Sequence, residues 1–215
     1  MEEPIYFENR KNAALALKDT LPIDQMRTEA WLIIAVSSGG LELGYHLNER
    51  MKLEINFLFS EGIYAPNNSE CEIARVSETE EIVINDNLVN AFEIQYDYIY
   101  GEASRKHEEK ILSSLYKYRK GRHFDAVKGK IILLVDEGAE TGSKLMSAIK
   151  TVLGMKPKAV YVATPVMSLE VHEALEPLAD EIFTLHILDD YMDTPCYYQE
   201  LERVSDEKIE KILGD

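Results

Sequence analysis

Ile131-Ile132-Leu133-Leu134-Val135-Asp136-Glu137-Gly138-Ala139-Glu140-Thr141-Gly142-Ser143-Lys144 decides how the rest of the chain is arranged. The apolar run 131–135 is too continuous for a strand with one face in water, and suits a central parallel strand buried on both faces. Asp136 and Glu137 follow where that strand should end. Gly138 and Gly142 bracket a short turn, and 145–153 then has the pattern of a helix. Ligands of open α/β sheets bind at the carboxyl ends of strands, and a turn entering a helix presents free N–H groups to an anion. The stretch therefore offers two carboxylates beside a possible phosphate cradle. Carboxylates accept hydrogen bonds from sugar hydroxyls or bind Mg²⁺. The turn is too short for a P-loop, and Ser143 rather than Lys follows Gly142. An acidic strand end with no ligand is the plainer alternative, since acids and Gly are common where strands turn.

An apolar strand, two acids and a turn containing Thr141-Gly142 resemble the sugar-phosphate signature of the type I phosphoribosyltransferases. The resemblance implies that Asp136 and Glu137 hold the ribose hydroxyls of 5-phosphoribosyl 1-diphosphate (PRPP) and are the catalytic acids. It implies that Gly138, Ala139, Glu140, Thr141, Gly142, Ser143 and Lys144 wrap the 5′-phosphate. Two residues depart from the pattern. Glu140 brings negative charge into the phosphate turn, and Lys144 stands where the family usually has Thr.

A second strand-turn-helix unit lies upstream. Residues 30–36 form an apolar strand, Ser37-Ser38-Gly39-Gly40 a turn, and 41–51 a helix. The paired glycines let a ligand approach the backbone closely. In the family this is the diphosphate-binding loop. The bacterial branch that the chain resembles usually has Pro-Arg before the glycines, where this chain has Ser37-Ser38. Hydroxyls and N–H groups can bind diphosphate, but the pairing cation is lost. The branch also carries an Arg-Lys pair in a later mobile loop, where this chain has Glu61-Gly62. Lys52 and Arg75 flank that region without matching the motif.

At 215 residues and 46% hydrophobic content, the chain is sized for one α/β domain, 1–215, with a small lobe from its N- and C-terminal segments. No run approaches the roughly 20 apolar residues of a membrane span. The start, Met1-Glu2-Glu3-Pro4, lacks the features of a signal peptide. Cys71 and Cys196 have no metal-site spacing, so reduced thiols in a cytoplasmic protein are the default, with a disulfide the minor alternative. The net charge of −16, from 23 basic and 39 acidic residues, argues against nucleic acid as a partner.

The remaining chain fills in the alternation. Residues 6–21 predict a helix ended by Pro22. Its Phe7, Arg10, Ala13, Ala14 and Leu17 resemble the first helix of the same branch, although an ordinary amphipathic helix explains them equally. Strands are predicted at 54–59, 73–76 and 81–84, with a loop over 60–70. Helices are predicted at 87–92, with Asp86 as cap, and at 96–120, whose mixed charges favour a solvated face. His107 and His123 are isolated. Strands at 159–163 and 181–187 flank a helix capped by Ser168, and Ser205-Asp206-Glu207 opens a last helix. Strand-helix-strand order from 30 to 187 argues an open, mainly parallel twisted sheet with helices on both faces. Tyr191, Tyr197 and Tyr198 in the tail can stack on a base or simply pack the tail.

The resemblance implies an enzyme of nucleotide metabolism that uses PRPP with Mg²⁺, held mainly through the substrate, with Asp136 and Glu137 as candidate metal ligands. The alternative is a non-catalytic module of the same fold that binds PRPP or a nucleotide. A phospho-accepting receiver built on Asp136 leaves the Thr-Gly turn unexplained. The acceptor base is not legible, and whether the chain works as a homodimer stays open.

Overall fold

The structure is a computed structural model that describes residues 7–122 and 127–214. Tyr6 and His123 lie outside the described residues. The chain opens on α1 (Arg10–Lys18), whose cap Asn9 accepts from the Asn12 N–H. Then come α2 (Ile23–Thr28), β1 (Trp31–Ala35), α3 (Ser38–Asn48) and β2 (Glu54–Phe57). β3 (Ser60–Ala65), β4 (Asn68–Ser77) and β5 (Ile82–Ile84) form an antiparallel meander. α4 (Asp86–Ala91), α5 (Tyr96–Lys106) and α6 (Leu112–Arg119) follow, the last two joined by a π-helical turn at His107–Ile111. β6 (Ile131–Val135), α7 (Ser143–Gly154), β7 (Ala159–Ser168), α8 (Leu169–Leu175), β8 (Glu181–Leu188) and α9 (Asp206–Gly214) complete the chain.

The main sheet is parallel throughout, in the order β2-β1-β6-β7-β8. Both β1 and β6 are buried along their whole length, as the unbroken apolar runs require. Alternate side chains feed two layers. Ile33, Leu133 and Val135 pack with Leu17 of α1 and with Leu43 and Leu47 of α3. Leu32, Ile34, Ile132 and Leu134 pack with Ala148, Ile149 and Val152 of α7. A third core joins the meander to α4, α5, α6 and α9. The small terminal lobe forms where Phe7 pairs with the tail. Its N–H donates to the Tyr197 carbonyl at 2.7 Å, and its carbonyl accepts from Gln199 at 2.8 Å.

From β1 the chain crosses one way to β2 and later the other way to β6. The strand order therefore reverses between β1 and β6, and a crevice opens beyond their carboxyl ends. The segments that emerge there are Ser37-Ser38-Gly39-Gly40 and 136–142.

Several expectations are corrected. The predicted loop 60–70 is a hairpin, with Pro66-Asn67 as its turn. Gly62 had suggested a loop but lies inside β3, opposite Arg75. Residues 38–40 already belong to α3, so the predicted turn is the first turn of the helix. β7 continues through Thr164-Pro165 to Ser168; its pairing with β6 ends at Ala163, so the ladder on that side has stopped before proline is reached. Asn85, not Asp86, caps α4. Ser168 caps α8 as expected.

Candidate functional site

β6 delivers Asp136 to the crevice almost fully buried, at 3% exposure. Its Oδ1 accepts from the Ser37 hydroxyl at 2.5 Å and from the Glu137 N–H at 2.9 Å. Ser37 in turn caps α3, accepting from the Gly40 N–H at 2.9 Å. One hydroxyl thus ties the two strand ends together. The apposition is tight because of the glycines. A Cβ on Gly40 would fall 2.4 Å from the Val135 carbonyl oxygen, and one on Gly39 would fall 2.0 Å from the Glu137 carboxylate carbon.

Glu137 is half-buried, and its Oε2 accepts from Arg10 Nε at 2.5 Å. Arg10 also donates to the Glu202 carbonyl at 2.7 Å and meets Glu42 at 3.3 Å. Burial pushes the Glu137 carboxyl above its ordinary range, and the Arg10 charge opposes that shift. The Glu137 carbonyl accepts from the Tyr198 hydroxyl at 2.6 Å, and burial, ahead of Glu137, raises that phenol well above its usual range.

The turn after Glu137 shapes a cavity of about 300 Å³. Its floor is 136–145. Glu72 and Arg75 enter from β4 on one side, and Asp193, Thr194, Pro195 and Leu201 from the tail on the other. Gly138 lets the tail close in, since a Cβ there would fall 2.6 Å from Thr194 Cγ2 and 2.7 Å from the Tyr191 hydroxyl. Gly142 has φ +66° and supplies no side-chain cap to α7. The N–H groups of the first turn of α7 are therefore left for a ligand or water. Glu140 and Thr141 are exposed, whereas Ser143 and Lys144 are half-buried; all four line the cavity.

The structure thus brings Asp136, Glu137 and 138–144 around one cavity; of the expected diphosphate loop, Ser37, Gly39 and Gly40 pack against residues 135–137, and neither they nor Ser38 line that cavity. Tyr197 and Tyr198 are buried and pack on the terminal lobe. Cys71 and Cys196 are free thiols. A larger groove of about 780 Å³ lies along the β2 edge and takes Lys52 away from the crevice. Two cations at the site escaped the sequence reading. In the sequence, Arg10 has only a place in the pattern of the first helix, and Arg75 only a position flanking the region of Glu61-Gly62. Recognising Pro66-Asn67 as a hairpin turn would have brought β4 alongside β3, but the register shifts between Ile63 and Ala65 hide which residue faces Gly62.

No family model matches the chain. Two Mycobacterium tuberculosis proteins, each named "Putative phosphoribosyl transferase", are 20% identical over 207 residues, which is 96% of this chain and 46% of theirs. The chain spans about half the length of these curated relatives. The crystal structure of TT1426 from Thermus thermophilus is 28% identical, with TM-score 0.78, and the match covers 97% of this chain and 98% of that one. A hypoxanthine phosphoribosyltransferase from Staphylococcus aureus is 14% identical, with TM-score 0.51, over 88% of this chain and 79% of that one. The chain resembles the type I phosphoribosyltransferases and has their α/β fold.

Proposed function

We propose that the chain is a phosphoribosyltransferase that moves phosphoribose from PRPP to a nitrogenous base and releases diphosphate. The observation that carries this reading is the pairing, in one cavity beyond the end of β6, of two strand-end carboxylates with an uncapped helix start. Each part of the ligand finds a partner of the right chemistry. The N–H groups that open α7, with Thr141 and Ser143, suit the 5′-phosphate. Asp136 and Glu137 suit the ribose hydroxyls, and the Ser38 and Gly39 N–H groups at the start of α3, whose Ser37 cap takes up only the Gly40 N–H, suit the diphosphate.

In the reaction, the bond from ribose C1 to the diphosphate oxygen breaks and the oxygen keeps the electron pair. Positive charge builds on the ribose ring, as in other glycosyl transfers. The acceptor nitrogen then bonds to C1 and loses a proton. Asp136, anchored by Ser37 and by the Glu137 N–H, fixes the ribose without moving. Glu137 is less free, and must exchange Arg10 for a ribose hydroxyl or serve the ring by its charge alone.

Among the described residues, no group of three or more His, Cys, Asp or Glu is placed to hold a metal. The donor set fits Mg²⁺ that arrives on the phosphates of the substrate with one or two carboxylates at hand, the usual mode for this ion. Asp136 and Glu137 would be those carboxylates, and the ion would supply charge neutralisation for the leaving diphosphate. Among the described residues no helix is long and apolar enough to cross a membrane.

A second reading keeps the ligand and drops the chemistry. The chain then binds PRPP or a nucleotide without turnover, which the Arg10 hold on Glu137 favours. Diphosphate release separates the two. The enzyme reading expects Mg²⁺-dependent release from PRPP that needs one of a panel of purine, pyrimidine and other nitrogen acceptors. Binding of PRPP with no release across the panel supports the binding module instead.

A further inference from the structure

One side chain joins the β3–β4 hairpin to the phosphate turn. Arg75 is 6% exposed, and its Nε lies 3.3 Å from the Ser143 hydroxyl oxygen. Nε and Nη2 make a two-point pair with Glu72 at 2.9 and 2.7 Å. Nη1 is held by the Ser60 carbonyl at 3.3 Å and the Ser60 hydroxyl at 3.1 Å. Ser143 Oγ also accepts from the Thr141 hydroxyl at 3.4 Å. The single Arg75 Nε proton is thus shared, mainly with Glu72 and more weakly with Ser143, so loss of Glu72 would free it toward the cavity. Arg75, Glu72, Thr141 and Ser143 line the same cavity.

The strand register explains how the guanidinium gets there. Gly62 is directly opposite Arg75. A Cβ on Gly62 would fall 2.6 Å from Glu72 Oε2 and 3.2 Å from Arg75 Nη2. Glycine at 62 thus clears the space that the Arg75–Glu72 pair fills. Position 62 carries no charge of its own, and the strand opposite supplies a cation in its place.

We infer that Arg75 is a cation of the phosphate subsite, in addition to Lys144, and that Glu72 is its place-holding counter-ion, displaced when a phosphate monoester enters. The inference rests on the sugar-phosphate reading of the cavity. A carboxylate and a phosphate engage the same guanidinium fork in the same two-point way. Glu72 keeps the buried cation compensated while the cavity is empty, so an entering phosphate replaces one anion by another. Glu72 is the mobile member of the pair. It sits on the partly exposed stretch of β4 where the register shifts, whereas Ser60 anchors Arg75 from the other side. The exchange also gives a chain of net charge −16 a local means of admitting a polyanion.

The test is calorimetric titration of wild type, Arg75→Gln, Arg75→Lys and Glu72→Gln with ribose 5-phosphate and with PRPP plus Mg²⁺, with thermal melts confirming folded samples. Arg75→Gln is expected to bind both ligands roughly thirtyfold more weakly and with a shallower salt dependence, and Arg75→Lys to fall between it and wild type. Glu72→Gln is expected to bind ribose 5-phosphate about threefold to tenfold more tightly. Wild-type affinity in Arg75→Gln, or no tightening in Glu72→Gln, overturns the inference and leaves Arg75 as a tie between the hairpin and α7. If Arg75→Gln does not fold, an Arg75→Lys, Glu72→Gln double variant decides: the inference expects the gain of Glu72→Gln to shrink when the two-point fork is lost, and a gain kept in full overturns it. A wild type that binds neither ligand overturns the sugar-phosphate reading itself, an outcome distinct from the others.

Discussion

Arg10 and Glu137 are 127 residues apart in sequence and meet at 2.5 Å, so the first helix holds the carboxylate that ends the central strand. Their side chains are 8% and 20% exposed. The same carboxylate covers Gly39, so one ion pair gathers α1, α3 and β6 at the mouth of the crevice. The carboxylate proposed to take a ribose hydroxyl is thus already committed to a partner.

Removing one member of such a pair leaves the other charge buried. Arg10→Gln is expected to cost about 2–4 kcal/mol in urea unfolding, somewhat below the fully buried case because Glu137 keeps some solvent contact. Adding Glu137→Gln should recover at least half of that loss. Additive losses in the double variant would mean that the two residues do not act as a pair.

Three glycines in α-helices should respond differently to alanine. Gly40→Ala puts a methyl against the Val135 backbone oxygen, which has no rotamer to yield, and is expected to destabilise by about 2–3 kcal/mol. Gly39→Ala meets only the end of the Glu137 side chain, so it should displace that carboxylate from Arg10 at a smaller cost of about 1–2 kcal/mol. Gly101 lies in α5 with nothing within 4 Å of an added Cβ, so alanine there should stabilise by about 0.5–1 kcal/mol. Chemical denaturation of the three variants checks the order. A harmless Gly40→Ala would contradict the close approach of α3 to β6.

Glu42 links the same cluster to acid stability. The His46 imidazole 3.8 Å away, followed by the hydrogen bond from Lys208 and the nearby Arg10 charge, holds its carboxyl down at about 2 against opposing burial. A depressed carboxyl contributes stability above its unfolded pKa and loses it as pH falls toward the folded value. Wild type should therefore exceed Glu42→Gln by about 2 kcal/mol at neutral pH, with the gap closing between about pH 4.5 and 2. Glu137, raised by burial, acts in the opposite sense, favouring the fold below its unfolded pKa and losing that contribution as pH rises through its folded value. Thermal melts of both proteins from pH 7 to 2.5 measure the gap, and a gap constant with pH would sink the assignment.

The sheet was legible because the apolar runs ending at Ala35 and Val135 leave no choice but two-sided burial. In the candidate site, the gathering of Asp136, Glu137 and the Thr141-Gly142 turn around one cavity was legible, because acids, strand end and turn are adjacent in sequence. What escaped depends on long-range placement. Arg10 reads as a polar position until the tail and β6 close around it, and its burial follows from contacts with Glu137, Glu42 and Glu202 that helical periodicity does not encode. Arg75 was hidden by an irregular register, and Gly62 was taken as a loop signal when its missing side chain makes room for a cross-strand pair. The serines after β1 were read as ligand donors, but the Ser37 hydroxyl serves Asp136 and the Gly40 N–H.

Calorimetric titration with PRPP, with and without Mg²⁺, on wild type and on an Asp136→Asn, Glu137→Gln double variant tests the central claim most directly. The account predicts Mg²⁺-dependent binding of micromolar order in the wild type, roughly −8 kcal/mol, and its loss in a folded double variant. A folded wild type that does not bind PRPP, or a double variant that binds it equally well, would contradict the assignment of the β1/β6 crevice as a PRPP site.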